Sequence, residues 1–314
     1  MLANVARVLF ELASVNLKED GQNHGTTCQC LTPAAPPILS AGYTISDLVK
    51  DFLKVKAKTG RSDRYLRALR VSLRSFATGR GQTPIGNVTV AEIESWLESN
   101  AWAPRTQKGY LSDVRVMFNF AVKRNLLAHN PAAAVESPVW DSGPPCIHTP
   151  DQVRTVLEFA RGYDLDICRC LAIRYFAGLR SSEAERLDEK EIRTADGFIE
   201  VTAAKAKTRR RRPATIQENL RAWLQLGGTL PLHDRSNLWR WFRAELEAKH
   251  NLQWEHNVTR HSFCSYHLAA FGNAAKTALE AGHTEQMLFA HYRELVTPGA
   301  AKEFWAIKPK DVAL

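Results

Sequence analysis

Apolar residues recur at helical spacing from Tyr43 onward, with Ile45, Leu48, Val49, Phe52 and Leu53 forming a first amphipathic face. A second helix carries Leu66, Leu69, Leu73 and Phe76 on one side. Thr89, with Glu92 three residues on, makes a capping box that opens a short helix bearing Ile93, Trp96 and Leu97. Pro104 stands at the first position of a fourth helix, whose apolar positions are Tyr110, Val114, Met117, Phe118, Ala121 and Val122. The pattern lapses between Ser137 and Pro150, a Pro-rich stretch that reads as a linker. Thr149, Pro150 and Gln152 then repeat the cap, the N1 proline and the box partner, so a new domain opens there. The long apolar segment from Asp166 to Leu179 leads to Arg180. Two β-like runs, Gly197–Ala204 and Arg212–Ile216, are separated by a basic turn and predict a hairpin. Helices resume around Leu220–Leu226, around Leu238, Trp239, Phe242 and Leu246, after Arg260, after Asn273 and around Tyr292. The expectation is a mainly α chain with one small β-hairpin or sheet, divided into residues 1–41 (helix and tail), 42–134 (helical domain), 135–149 (linker) and 150–314 (an α+β domain with a C-terminal helix).

The first twenty residues are apolar but lack a basic leader and carry Arg7 and Glu11, so they read as a short amphipathic helix rather than an export signal. No run approaches the roughly 20 apolar residues that cross a bilayer. No membrane partner and a cytoplasmic location are expected.

Charge changes the picture more than composition does. The 314 residues carry a net charge of +9, and the segment Lys50–Arg124 alone holds 15 Lys or Arg against 6 Asp or Glu. Arg67, Arg70 and Arg74 line one flank of a single helix beside its apolar stripe, an arrangement suited to a polyanion's phosphates. Arg105 and Lys108, in the first turn of the Pro104 helix, join them as candidate DNA contacts.

The six cysteines, at 28, 30, 146, 168, 170 and 264, do not suggest a disulfide framework in a chain of this length. Cys168, Cys170 and Cys264 read as packing thiols. His24, Cys28 and Cys30 lack a fourth ligand, so no metal site is expected.

Candidate chemistry lies in an ordered set: Arg180, Lys207, Arg260, His283 and Tyr292. An oxygen nucleophile with two guanidiniums, an ammonium and an imidazole is what metal-free attack on a phosphodiester needs. Arginine grips phosphate oxygens through a planar fork, and lysine can act as a proton donor when partly desolvated. Each residue alone has an ordinary explanation as a cap, a solvated cation or a packing group.

Taken together, these segments resemble the boxes of the tyrosine recombinases, the phage integrase family. FAGLRSSEAERL resembles the first arginine box, with Glu183 in its usual place. KTRRRRPATI resembles the hairpin lysine segment, NVTRHSFCSYHLA the second arginine box, and AGHTEQMLFAHYREL the stretch in which Gly-His precedes the tyrosine by nine positions. The resemblance implies a helical, SAM-like core-binding domain followed by a catalytic domain. It implies site-specific breakage and rejoining of double-stranded DNA through a 3′-phosphotyrosine on Tyr292, with no cofactor, metal or ATP. Arg180 and Arg260 would hold the phosphate, Lys207 would protonate the leaving oxygen, and His283 would assist. Lys207 is preferred to Lys205 because Arg212 and Ile216 then fall at the family's following offsets. Asn257 occupies the position where the family usually has histidine, and asparagine cannot exchange a proton near neutral pH. Arg209, Arg210 and Arg211 read as backbone contacts. The partner expected is duplex DNA, engaged by a homotetramer on paired sites, with a monomer in solution left open. Three alternatives also stay open: a catalytically impaired DNA-binding homologue, a relaxing enzyme of the type IB topoisomerase kind, and a metal-dependent nuclease or structural metalloprotein using the Cys and His residues. Trp305, with Phe304 and Ile307, forms an apolar patch that packs at home or docks on a neighbour.

Overall fold

A computed structural model describes residues 42–141, 143–207, 209–232, 236–292 and 296–310. The expectations for residues 1–41, including the His24, Cys28 and Cys30 group, lie outside the described residues. The chain divides between Trp140 and Asp141 into two compact units.

In the first unit four helices are described, Ile45–Lys58, Asp63–Ala77, Val90–Glu98 and Pro104–Lys123. Capping boxes at Thr44/Asp47 and Thr89/Glu92 satisfy the first backbone amides of two of them. Burial follows the apolar stripes: Leu48, Phe52, Leu73, Phe76, Ile93, Val114 and Phe118 are all fully enclosed. Aromatic edges fix the packing, with Phe76 against Trp96 at 5.1 Å and Trp102 against Tyr110 at 4.5 Å. Arg115 then ties the exiting chain to the last helix, donating to the Ala132 carbonyl at 2.9 Å, to Ser137 Oγ at 2.9 Å and to the Val135 carbonyl.

The second unit is mainly helical around a small antiparallel sheet in the order β1 (Ile192–Arg193), β2 (Phe198–Val201), β3 (Arg212–Thr215). Its edge strand β1 was not legible in the sequence, because two residues are too few to show an alternation. The pairing Ile199↔Ala214 and Val201↔Arg212 sets the register. With a period of two, Arg212 therefore shares the buried face of β3 with Ala214 while Pro213 faces out. The helix Leu165–Phe176 is apolar on nearly every side and forms the centre of the core, as an all-round hydrophobic helix must. It stops short of Arg180, at the Ala177 cap, where Gly178 turns the chain at φ +65°.

Trp305, Phe304 and Ile307 pack at home. Phe304 stacks on Tyr266 at 4.2 Å, and Trp305 donates its indole N–H to the Tyr266 carbonyl at 3.3 Å. Cys168, Cys170 and Cys264 are buried free thiols and Cys146 is exposed. Among the described residues no helix is long and apolar enough to cross a membrane, and no group of His, Cys, Asp and Glu could hold a metal ion.

Candidate active site

Backbone geometry at two glycines builds the site. Gly178 ends the central helix in the left-handed region, and a Cβ there would lie 2.2 Å from the Phe263 ring. Its carbonyl is thereby turned to accept from Arg260 Nη1 at 2.6 Å. Gly282 ends the helix Ala274–Ala281 at φ +65°, with the Arg212 guanidinium 3.1 Å from where a Cβ would stand. Its carbonyl accepts from Arg180 Nη2 at 2.8 Å.

Arg260 lies in the first turn of the helix Val258–Phe271 and is only 3% exposed. Besides Gly178 it donates from Nη2 to the Ala281 carbonyl and from Nε to His283 Nε2 at 3.1 Å. Burial, with the charges of Arg180 and Arg212 adding to it, lowers its pKa to about 10, which still leaves it charged at neutral pH. Because that guanidinium keeps its proton, His283 Nε2 must be the acceptor, so the neutral ring carries its hydrogen on Nδ1. His283 agrees: burial first, then Arg260 and Arg180, hold its pKa at about 3.

Glu183 is the anionic centre of this cationic group. Its carboxylate accepts from the Arg180 backbone amide at 3.1 Å, Arg180 Nη1 at 2.9 Å, Arg212 Nη2 at 2.5 Å and the Lys207 backbone amide at 3.3 Å. Burial would raise its pKa, but the hydrogen bonds and charge of Arg212, then Arg180, outweigh that and bring it to about 2. Arg212 also donates from Nε to the Glu280 carbonyl at 2.9 Å. Two guanidiniums, Arg180 and Arg212, thus hold one carboxylate, and the excess positive charge at a partly exposed Arg180 suits a phosphodiester anion.

The structure therefore gathers Arg180, Arg260 and His283 directly, and brings the Lys207 backbone to the same carboxylate. The Lys207 side chain is exposed, whereas Lys205 is occupied by Asp188 and Glu191. Asn257 caps the Arg260 helix from φ +59°, a conformation asparagine tolerates, and its carbonyl accepts from the Arg260 and His261 amides at 2.9 Å. No hydrogen bond from its side chain caps that helix. Tyr292 closes the helix Glu285–Tyr292, and its side chain lies outside what is described. Arg209, Arg210 and Arg211 are exposed in the hairpin turn, with Arg211 2.6 Å from Glu200. Arg67, Arg70 and Arg74 in the first unit are exposed along one helix face, and Arg105 and Lys108 are exposed near the start of another. Sequence reasoning left Glu183 and Arg212 out of the site. The available signal was their fixed offset from Arg180 and Lys207.

No protein-family model matches the sequence. Among curated proteins it is 31% identical over 185 residues to the tyrosine recombinase XerC of Mycobacterium sp. (strain KMS), covering 54% of this chain and 61% of that one. The match spans about three-fifths of that relative's length. A tyrosine recombinase of Thermosipho africanus is 25% identical over 245 residues, covering 71% of this chain and 86% of the relative. Of solved structures, the Tn1549 transposon integrase in complex with a circular intermediate DNA aligns with TM-score 0.65 at 17% identity, over 84% of this chain and all of that one. A lambda integrase tetramer bound to a Holliday junction aligns with TM-score 0.62 at 13% identity, over 87% of this chain and 81% of that one. The fold is that of the integrases. The sequence matches and the order of its boxes make the chain similar to the tyrosine recombinases.

Proposed function

We propose that this protein is a site-specific DNA recombinase that breaks and rejoins duplex DNA through a 3′-phosphotyrosine at Tyr292, using neither metal nor ATP. The observation that carries the reading is the joined pair Arg180 and Arg260, braced against the carbonyls of Gly178, Ala281 and Gly282. Donors held in advance around a phosphate need no reorganisation as charge builds in the transition state. The Tyr292 oxygen forms its bond to phosphorus as the bond to O5′ breaks. The Lys207 ammonium gives its proton to O5′, and the phenolic proton leaves to solvent. Arg180 and Arg260 hold the non-bridging oxygens, while His283, neutral and tethered by Arg260, serves as a hydrogen-bond donor through Nδ1 rather than as a charged group. Rejoining reverses these steps, so the energy of the broken bond stays in the ester.

Arg67, Arg70, Arg74, Arg105, Lys108, Arg209, Arg210 and Arg211 are assigned to the DNA backbone, with affinity that falls as salt rises. A homotetramer on two paired duplexes is the working assembly. The lambda integrase tetramer on a Holliday junction supports this by analogy of fold. Incubation with a nicked suicide duplex tests the reading: a denaturation-resistant protein–DNA adduct is expected from the natural chain and none from Tyr292→Phe.

One observation favours a second reading, a DNA-binding homologue with little turnover: Asn257 stands where an acid-base histidine is usual, and such help is worth about 10²–10⁴-fold. Binding of specific DNA without any adduct over long incubation would select it.

A further inference from the structure

The hairpin offers two lysines, and their environments differ sharply. Lys205 Nζ lies 2.8 Å from Asp188 Oδ2 and 2.6 Å from Glu191 Oε2, with its side chain 17% exposed. Burial pulls its pKa down, but the hydrogen bonds to Asp188 and Glu191 outweigh this and raise it, so it is a poor proton donor. The same turn is fastened at two further points. Arg186 Nη2 donates to the Lys205 carbonyl at 3.0 Å, and the Lys207 amide donates to Glu183 Oε1 at 3.3 Å. All these partners lie between Glu183 and Glu191, the segment that follows Arg180. Ala206, between the two lysines, is buried, while the Lys207 side chain projects into solvent.

An ordinary surface ion pair contributes little, but one ammonium shared by two carboxylates at the base of a turn restricts where the rest of that turn can go. We propose that Lys205 is a positioning residue for strand cleavage: its tie to Asp188 and Glu191 holds the hairpin turn so that Lys207 meets the leaving 5′ oxygen. The inference rests on the strand-transfer reading above. It adds that the turn carrying the acid is latched to the arginine segment by a lysine that itself takes no part in the chemistry.

Leaving-group chemistry separates this role from a merely structural one. An alkoxide must be protonated as it departs, whereas a thiolate, whose conjugate acid has a pKa of about 8.5 in cysteine, leaves without help. Single-turnover adduct formation is therefore to be measured on two suicide duplexes, one with the natural phosphodiester and one with sulfur replacing the bridging 5′ oxygen. On the oxygen substrate Lys205→Met should be slower by about tenfold to a hundredfold, the scale of a misplaced catalytic group. On the sulfur substrate it should run close to the natural chain, and Lys205→Arg, which can keep both ion pairs, should recover most of the oxygen rate. Lys207→Met should show the same sulfur rescue with a larger oxygen defect. Equal slowing on both substrates, no slowing on either, or failure of sulfur to rescue Lys207→Met would overturn the proposal. If Lys205→Met loses its fold by circular dichroism, Asp188→Asn loosens the same tie and carries the same expectation. Should the natural chain form no adduct with either duplex, the strand-transfer reading itself fails and this inference falls with it.

Discussion

Glu183 Oε2 accepts from Arg212 Nη2 at 2.5 Å, and neither side chain is more than 5% exposed. The same carboxylate holds Arg180, so one buried anion sets the position of a surface-facing arginine and of a core arginine. Removing one partner of such a pair strands the other charge in a medium of low dielectric. Glu183→Gln is expected to lose roughly 3–5 kcal/mol of stability, the range for breaking a buried ion pair. Urea denaturation measures this, and a loss below about 1 kcal/mol would contradict the role given to Glu183.

Gly178 combines a left-handed backbone with a phenyl ring where a side chain would go. Gly178→Ala should therefore destabilise by at least about 1–3 kcal/mol, the cost of a residue forced into a sparsely populated conformation. Adding Phe263→Leu should relieve the steric part and leave the backbone part. Thermal melts of the single and double variants distinguish the two contributions, and an unchanged melting temperature in Gly178→Ala would refute the account.

Arg260 uses Nε, Nη1 and Nη2 at once, toward His283, Gly178 and Ala281. A lysine has the charge but not the fork. Adduct formation by Arg260→Lys is expected to fall on the order of 10²–10³-fold, as when a preorganised donor to a developing charge is removed. DNA affinity should change far less, because the long-range field of one cation is retained. Single-turnover assays beside equilibrium binding test both halves.

Three exposed arginines on one helix face should each displace about one counterion from DNA. Triple replacement of Arg67, Arg70 and Arg74 by alanine is expected to reduce the slope of log affinity against log salt by roughly 3. A slope that stays the same would remove this face from the DNA contact.

Acid should destabilise the second unit, and the sign follows from the direction of each shift. His283 is held at about 3, and His148 and His267 at about 4, by burial foremost. Unfolding returns each to a value near 6.5, so between there and pH 4 the unfolded chain binds more protons than the folded one. Stability is therefore full above pH 6.5 and falls as pH drops, by at most about 1.4 kcal/mol per unit for each group. Glu183, held at about 2 against 4.5, extends the loss to lower pH. Denaturation at pH 7, 5.5 and 4.5 should trace the decline, and His267→Phe should flatten it.

Helix positions in both units were legible because each apolar stripe is a local property: Thr89, Pro104 and Thr149 mark their helix starts with side chains that act within three residues. The order of Arg180, Lys207, Arg260, His283 and Tyr292 was likewise written in the chain. Asn257 was legible as a departure, though its left-handed backbone was not. The sequence alone thus determined the helical character, the basic stripe and the residue types available for phosphate chemistry. Tertiary structure alone decided which cations pair with which acceptors. Whether Lys205 or Lys207 is tied down depends on where Asp188 and Glu191 come to lie, and Arg212 is buried because strand register turns it inward against Glu183. Such pairings depend on distances between segments tens of residues apart, and local spacing carries no record of them.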